Sequence, residues 1–209
     1  MTNDKQPKLL YDHNIEKSSC GVGFITRKDS KQTHDLVIKA HEALCSVPHR
    51  GGMSSEGIGD GAGISIDLSV DFFSKITNKT LKFGDFVVGN FFMPKNKANK
   101  IIANNLIIDT LENSGFKLIK SREVPVNNSV LNEISQSFQL TIKQFIFCIQ
   151  KINDKDTDKS IHQCLLDIEA VAFKDKKLNE LYPLSLSRKL QVLKGRLKSN
   201  EIIPYFKDL

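Results

Sequence analysis

The chain has 209 residues, of which 40% are hydrophobic and 26% charged, as is typical of a soluble globular protein with its own core. Its net charge is +6, but the lysines are spread along the chain without a block of five or six like charges. We therefore expect a solvated surface and no nucleic-acid interface. The first fifteen residues lack the apolar core of a secretory signal, and no apolar run approaches the ~20 residues that span a membrane. These features predict a cytoplasmic protein without membrane contact.

The four cysteines form no C-x-x-C pair, so neither a disulfide framework nor a zinc ribbon is predicted; they are Cys20, Cys45, Cys148 and Cys164. His41, Cys45 and His49 are spaced by four, which would suit a metal on one helix face. Pro48 should end that helix before His49, and no fourth ligand is nearby. We therefore predict no metal site.

Hydrophobic periodicity and turn residues predict the first half of the chain. The elements, in order, are a polar leader over 1–19, a strand over 20–26, a helix over 34–47 capped by Thr33 or Asp35, a glycine-rich loop over 49–61, a half-buried strand over 62–68, a helical turn over 71–75 and a buried strand over 85–93.

The second half continues with alternating helices and strands. We predict a helix over 97–114 ended by Gly115, a strand over 116–126, a short helix over 129–136, a strand over 143–151, a helix over 158–174, two short strands within 181–197 and a helical turn near 199–206. The connections give no regular parallel series, so a single α+β domain is the economical prediction.

Cys20 is the candidate nucleophile, although a cysteine before a glycine is more often structural. A nucleophilic thiol needs a lowered pKa or a neighbouring base. If residues 1–19 are removed, Cys20 gains a free α-amino group whose ordinary pKa is about 7.7–8.0. That amine can act as a general base near neutral pH. Gly21 and Gly23 would let substrate and backbone approach closely.

Arg50 and Gly51 follow the predicted helix in the run Pro48-His49-Arg50-Gly51-Gly52. They could form an ordinary surface turn. Alternatively, Arg50 offers a permanently charged donor fork for a carboxylate or carbonyl near the nucleophile. The run is weak evidence by itself and gains specificity from Cys20 thirty residues earlier.

The glycine-rich run over 57–63 invites comparison with a phosphate-binding loop. Such a loop follows a strand and begins a helix, whereas this run follows a helix and precedes a predicted strand. We reject a nucleotide site and predict a tight start to strand 62–68, where bulky side chains would not fit.

Several blocks together resemble the N-terminal part of the class II (Ntn-type) glutamine amidotransferase domain in the large subunit of glutamate synthases. The resemblance covers nearly all of residues 11–209. Its blocks are Cys20-Gly-Val-Gly-Phe, His34-Asp35, Glu42-Ala43-Leu44, His49-Arg50-Gly51, Gly59-Asp60-Gly61-Ala62-Gly63, Arg122-Glu123-Val124-Pro125-Val126-Asn127, Val130-Leu131, Tyr182 to Ser187 and Lys194-Gly195.

This resemblance implies an Ntn-hydrolase-like four-layer αββα sandwich. It also implies that Cys20 attacks the side-chain amide of L-glutamine, forms a γ-glutamyl thioester and releases ammonia for transfer to 2-oxoglutarate. Arg50 and Gly51 match the glutamine site, and residues 1–19 match a cleaved propeptide. FMN and an iron–sulfur cluster are expected in the complete family enzyme, with no cofactor in this chain.

The sequence departs from the family because two blocks do not occur in it. The oxyanion-hole Asn-Gly pair of an N-G-E block and the glutamine-gripping R-F-S-T-N-T block should follow residue 209. The resemblance therefore implies a domain truncated at its C-terminus, with residues 20–209 inactive alone. Strands 62–68 and 85–93 would have unpaired edges or exposed apolar faces.

The partner would be the remainder of the glutamate synthase chain or a complementing chain. The alternative is a non-catalytic relic or half-domain that binds a partner chain.

Overall fold

A computed structural model describes residues 21–47, 57–59, 61–150 and 154–209, which form helices and antiparallel strands. The helices are α1 (His34–Cys45), α2 (Val70–Thr77), α3 (Lys97–Asn113), α4 (Glu133–Phe138), α5 (Asp154–Lys174) and α6 (Ile202–Tyr205). The strands are β1 (Ala62–Asp67), β2 (Phe86–Met93), β3 (Phe116–Glu123), β4 (Thr141–Ile149), β5 (Tyr182–Ser187) and β6 (Leu190–Gly195). The α+β class is confirmed.

The larger sheet has four antiparallel strands in the order β3-β4-β2-β5. β2 is a central strand, because Val88 lies opposite Ile146 of β4 on one side and opposite Ser187 of β5 on the other. The expectation of unpaired edges over 85–93 is therefore wrong. A strand paired on both sides and covered on both faces explains the continuous apolar run.

One face of this sheet packs against α3 and α5 to form the largest core. Alternate residues of β2 and β4 point to this face, as the period of two in a strand requires. The buried residues from the two strands and the two helices include Val87, Phe91, Phe145, Phe147, Ala103, Ile107, Leu111, Ile161, Cys164 and Ile168.

The opposite face packs against a two-stranded antiparallel sheet of β1 and β6, with α2 and α6 beside it. β5 and β6 are consecutive strands that belong to different sheets. The second core forms where Leu184, Leu193, Ile202 and Phe206 meet. β1 pairs only with β6 among the strands that the structure describes, so the unpaired edge predicted for 62–68 is present.

Most predicted elements are confirmed, with boundary differences of a few residues. Gly115, at φ 91°, lies just beyond α3, where a left-handed residue favours glycine. The predicted strand over 116–126 ends at Glu123, followed by an isolated bridge from Val126 to Phe206. The predicted helix over 129–136 is a 3₁₀ turn over Asn128–Val130 followed by α4.

The strand predicted over 20–26 is not found in its described part, residues 21–26. Residues 21–27 have no regular structure, and the side chains of Val22 and Phe24 are 95% and 92% exposed. The alternating pattern is present, but no strand in the described part of the chain pairs with this segment. Full burial of such apolar side chains is worth about 1.5–3 kcal/mol each, so their exposure is costly.

None of the helices in the described ranges combines the length and apolar character needed to cross a membrane.

A buried set of three amide side chains, here called the interlayer amide cluster, joins the two sheets. It consists of Asn90 of β2, Gln144 of β4 and Gln191 of β6, each no more than 5% exposed. Gln144 Nε2 donates to Asn90 Oδ1 at 2.9 Å and to Gln191 Oε1 at 3.0 Å. Asn90 Nδ2 donates to the main-chain oxygen of Val192 at 3.0 Å. Each amide therefore has a partner in the buried interface.

Arg122 of β3 extends this cluster to the end of the chain. Its Nε donates to Gln144 Oε1 at 2.8 Å, and its two terminal nitrogens reach the carboxylate of Asp208 at 3.3 and 2.5 Å. The side chains of Arg122 and Asp208 are only 17% and 12% exposed. The Arg122 guanidinium also lies 5.4 Å from the centre of the Phe72 ring. Such a bidentate, largely buried pair fixes both geometry and register.

We predict that Asp208→Ala destabilises the fold by about 2–3 kcal/mol, because the largely buried guanidinium of Arg122 loses its carboxylate. Urea unfolding measures the change. Lys39→Ala is the matched control, since Lys39 forms an exposed ion pair with Asp35 on α1. Equal losses for the two variants would contradict a structural role for the Arg122 pair.

A second ion cluster ties the β5–β6 turn to the start of α5. Arg188, whose side chain is 13% exposed, donates to Asp154 and to Asp158, the latter at 2.7 Å. Hydrogen bonding from Arg188 lowers the pKa of the Asp158 carboxyl below its ordinary 3.8. The ion pair therefore stabilises the fold above about pH 5, and this contribution fades as the pH falls through the lowered pKa.

We predict that Asp158→Asn lowers the free energy of unfolding at pH 7 by less than about 1 kcal/mol, because Asp158 is half exposed and screened. Near pH 3 the difference from the unchanged chain should be smaller, since this contribution declines once the pH is below the ordinary pKa of 3.8 and falls through the lowered pKa. Urea titrations at the two pH values measure it. Asp156→Asn, on the same helix turn, controls for the altered helix charge. A difference that grows in acid would refute this assignment.

Candidate functional site

The three residues predicted to form the site, Cys20, Arg50 and Gly51, all lie outside the described residues, as does the predicted leader over 1–19. The structure therefore does not bring Cys20 and Arg50 together or place them apart. It does describe the elements on either side of them, which are α1, the start of β1 and residues 21–33.

Both flanks of the segment that contains Arg50 and Gly51 lie against the same short stretch of chain. Before it, His41 of α1 donates from Nε2 to the main-chain oxygen of Ser199 at 3.0 Å. After it, Gly59 is buried, and a Cβ added there would lie 2.4 Å from the carbonyl carbon and oxygen of Leu197. Only glycine permits this approach. The predicted tight start to strand 62–68 is confirmed at Gly59.

The same glycine requirement recurs inside β1. A Cβ on Gly63 would lie 2.5 Å from the Cβ of Lys194 on the paired strand β6. The glycine-rich run thus serves close backbone packing. It leads into a strand and not into a helix, which agrees with the rejection of a nucleotide-binding loop.

A cavity of about 360 Å³ lies between α1, the C-terminal half of β1 and the last residues of the chain. Its apolar lining includes Ile25, Leu36 and Val37, and its polar lining includes Gln191 and Asp208. The cavity therefore adjoins both the interlayer amide cluster and the segment that follows Cys20. Its volume lies within the range of small-molecule sites.

Cys164 differs in environment from a catalytic thiol. Cys164 is 1% exposed, and burial raises the pKa of its thiol, which makes it a poor nucleophile. Cys45 lies 3.6 Å from His41 Nε2. Because that nitrogen carries a hydrogen donated to Ser199, it is not free to bind a metal. Cys45, Cys148 and Cys164 are all free thiols.

Within the described part of the chain, no three His, Cys, Asp or Glu side chains lie together as a metal centre would need. The family resemblance associates a flavin and an iron–sulfur cluster with the complete enzyme and none with this chain. No step proposed below involves a metal or a redox group.

Sequence reasoning missed the interlayer amide cluster and its ion pair. A signal was present, because Asn90 interrupts the apolar run of β2 and Gln144 interrupts that of β4. A polar residue inside a buried strand requires a partner. The partners are 54 and 101 positions away from Asn90 along the chain, which the sequence alone does not reveal.

Comparison with known proteins agrees with the family resemblance of the sequence. The protein-family model for class-II glutamine amidotransferases matches residues 20–209. Ferredoxin-dependent glutamate synthase of Spinacia oleracea is 32% identical over 99% of this chain and 13% of its own length. Glutamate synthase [NADH] of Saccharomyces cerevisiae is 30% identical over 96% of this chain and 10% of its own length. The NADPH-type large chain of Azospirillum brasilense is 29% identical over 95% and 14%.

The chain thus spans only 10–14% of the length of these three relatives. The match nevertheless covers almost the whole chain and agrees with the antiparallel α+β architecture. The chain belongs to the class-II glutamine amidotransferase family, and it corresponds to the amidotransferase domain of glutamate synthases.

Proposed function

We propose that this chain supplies the nucleophile of the glutamine-cleaving site in a glutamate synthase. One observation carries the proposal: the family match begins at residue 20, which is Cys20 itself. Cys20 is also the residue whose own chemistry, a thiol that would carry a free α-amino group after removal of residues 1–19, favours catalysis. A match that starts at this position supports a mature chain that begins with Cys20.

An N-terminal cysteine carries both the nucleophile and the base of the first step. The α-amino group of Cys20 accepts the thiol proton, and the sulfur attacks the side-chain amide carbon of glutamine. The tetrahedral intermediate collapses when that proton passes to the departing nitrogen, so ammonia leaves and a γ-glutamyl thioester remains. Water then attacks the thioester carbon, and glutamate and the free thiol are released.

Arg50 holds the glutamine in this proposal. Its guanidinium can donate two parallel hydrogen bonds to the substrate carboxylate, and Gly51 leaves room for the backbone to approach. Stabilising the oxyanion requires further donors, and losing one such donor typically costs about 10²–10³ in rate. In the family, an N-G-E block supplies these donors and an R-F-S-T-N-T block grips the glutamine, and neither block occurs in these 209 residues. We therefore expect background rates of glutamate release from these residues alone.

The four-layer sandwich also belongs to this proposal. Three layers are described: the helices α3 and α5, the four-stranded sheet, and the two-stranded sheet of β1 and β6. We propose α1 as part of the fourth layer, because it borders the cavity above β1 and contacts Ser199.

In the complete enzyme, the ammonia would pass to a synthase region and react with 2-oxoglutarate. The relatives support this context, because each is named as a glutamate synthase and is several times longer than this chain. The partner would then be the remaining synthase polypeptide.

The alternative is a non-catalytic half-domain that binds a partner chain. The open edge of β1 and the exposed side chains of Val22 and Phe24 favour it, since both are features of a binding surface. The reactivity of Cys20 separates the two proposals, because only the catalytic one requires a glutamine-directed nucleophile.

We predict that a diazoketone analogue of L-glutamine alkylates Cys20, with loss of dinitrogen, roughly 10-fold faster than it alkylates Cys45 or Cys148. Cys164 should stay unlabelled because it is buried and its thiol pKa is raised. Peptide mass mapping measures each site. The D-isomer controls for recognition of the substrate backbone.

Cys20→Ser should abolish the fast adduct, whereas Cys148→Ser should leave it unchanged. Arg50→Ala should slow labelling of Cys20 without changing the reaction of Cys148 with a neutral alkylating agent. Equal labelling of Cys20, Cys45 and Cys148, or equal rates for the L- and D-isomers, would favour the non-catalytic alternative.

A further inference from the structure

The second half of α5 carries an apolar row on its outward side, here called the α5 stripe. It consists of Leu166, Ala170 and Phe173, which are four and three residues apart and so lie on one side of the helix. All three are exposed, and the side chain of Phe173 is 93% exposed. No segment in the described part of the chain covers this side of α5.

The opposite side of the same helix segment is apolar too. Cys164 and Ile168 are buried in the core that α5 shares with α3 and the four-stranded sheet. A helix with apolar residues on both sides is typical of one that is buried on both sides. The first half of α5 differs, because Lys155 and Lys159 lie outward there and are exposed. The stripe therefore has a defined length, as a contact surface does.

The neighbouring helix enlarges the apolar surface of this layer. α3 lies alongside α5, since Cys164 Sγ is 3.9 Å from the main-chain oxygen of Thr110. Ile101 and Ile102 of α3 are both exposed. Single exposed apolar side chains are normal on a protein surface, whereas a group of them on one layer is typical of an interaction surface.

The charges beside the stripe identify the partner. Asp167 and Lys174 are seven residues apart, so they lie on the same flank of the stripe. Consider a second copy of α5 that runs antiparallel, with a two-fold axis beside Ala170. Asp167, three residues before the axis, then lies beside Lys174 of the second copy, four residues after it. Leu166 and Phe173 meet across the axis in the same way, so the surface is complementary to itself.

Glu169 opposes this pairing, because it lies next to the axis and faces Glu169 of the second copy. Both are exposed, so screening by water and salt keeps the repulsion small. A pair of helices also covers less than the roughly 800 Å² per partner of a stable complex. We therefore expect a weak, concentration-dependent dimer.

We propose that the α5 stripe is the contact surface between two copies of this chain, which pack α5 against α5 in antiparallel orientation about a two-fold axis beside Ala170. The proposal is independent of the glutamine chemistry. α5 packs on one face of the four-stranded sheet, whereas β1 and the elements that flank the candidate site lie on the other.

Sedimentation equilibrium of the 209-residue chain tests the stripe. Phe173→Ser should raise the dissociation constant of the dimer at least about 10-fold, because it removes the largest apolar side chain of the contact. Phe83→Ser is the matched control, since Phe83 is 58% exposed in the turn before β2 and should not affect the dimer. Equal effects of the two variants, or a monomer at about 1 mM, would overturn the proposal and leave another polypeptide segment as the occupant.

Charge exchange tests the antiparallel arrangement. Asp167→Lys and Lys174→Asp should each weaken the dimer about five-fold, and the double variant should return within about two-fold of the unchanged chain. The two positions are about 10 Å apart along one helix, so such a rescue requires contact between copies.

Asp167 also accepts a hydrogen bond from Gln163 of its own helix at 2.8 Å, and circular dichroism therefore controls for local loss of helix. Single variants that dimerise like the unchanged chain, or a double variant without rescue, would overturn the arrangement.

Glu169→Gln should change the dimer in the opposite direction. Removing the two facing carboxylates should lower the dissociation constant about two-fold. Non-specific apolar association would instead weaken, because the variant raises the net charge of a chain that is already at +6. Weaker association of Glu169→Gln would contradict a two-fold axis at this position.

Discussion

The two sheets of this domain are held in one arrangement by the interlayer amide cluster of Asn90, Gln144 and Gln191. These side chains lie in a buried interface, where each unpaired amide would cost about 1–3 kcal/mol. Their hydrogen bonds join β2, β4 and β6, so sliding one sheet over the other would break several at once. Apolar contacts alone would tolerate such sliding more easily, because they are not directional.

The hydrogen bonds of the interlayer amide cluster also affect the edges of the small sheet and the end of the chain. Asn90 uses its second hydrogen bond to hold the main-chain oxygen of Val192, which closes one edge of the small sheet and leaves the edge of β1 open. Arg122 extends the same network to Asp208 and so fixes the last residues of the chain beside the cavity under α1. The network thus fixes one edge of the small sheet and the last residues of the chain.

Local patterns predicted most of the fold correctly. The period of two in β1, the helical period of α1 and the glycine that follows α3 each depend on neighbours in sequence, so they can be read from the sequence. The pattern over 20–26 also alternates, yet a strand exists only with a partner, and pairing is a long-range property. The run over 85–93 was expected to have unpaired edges because the sequence does not show that β4 and β5 flank it.

The candidate site was likewise predictable from the sequence only in part. Cys20 was singled out by its own chemistry and by its position before a glycine-rich strand pattern, whereas the roles of Arg50 and Gly51 came largely from the family resemblance. The amide cluster was missed, because its members are distant in sequence and none carries a catalytic signature. Asn90 within an apolar strand was the available clue, since a buried amide always requires a partner.

The most direct test of the account is the N-terminal residue of the mature protein, determined by intact mass and terminal peptide sequencing of protein isolated from its own cells. The account predicts a chain that begins at Cys20, since only then is a free α-amino group attached to the nucleophile. A glutamine-cleaving protein that retains residues 1–19 would contradict it.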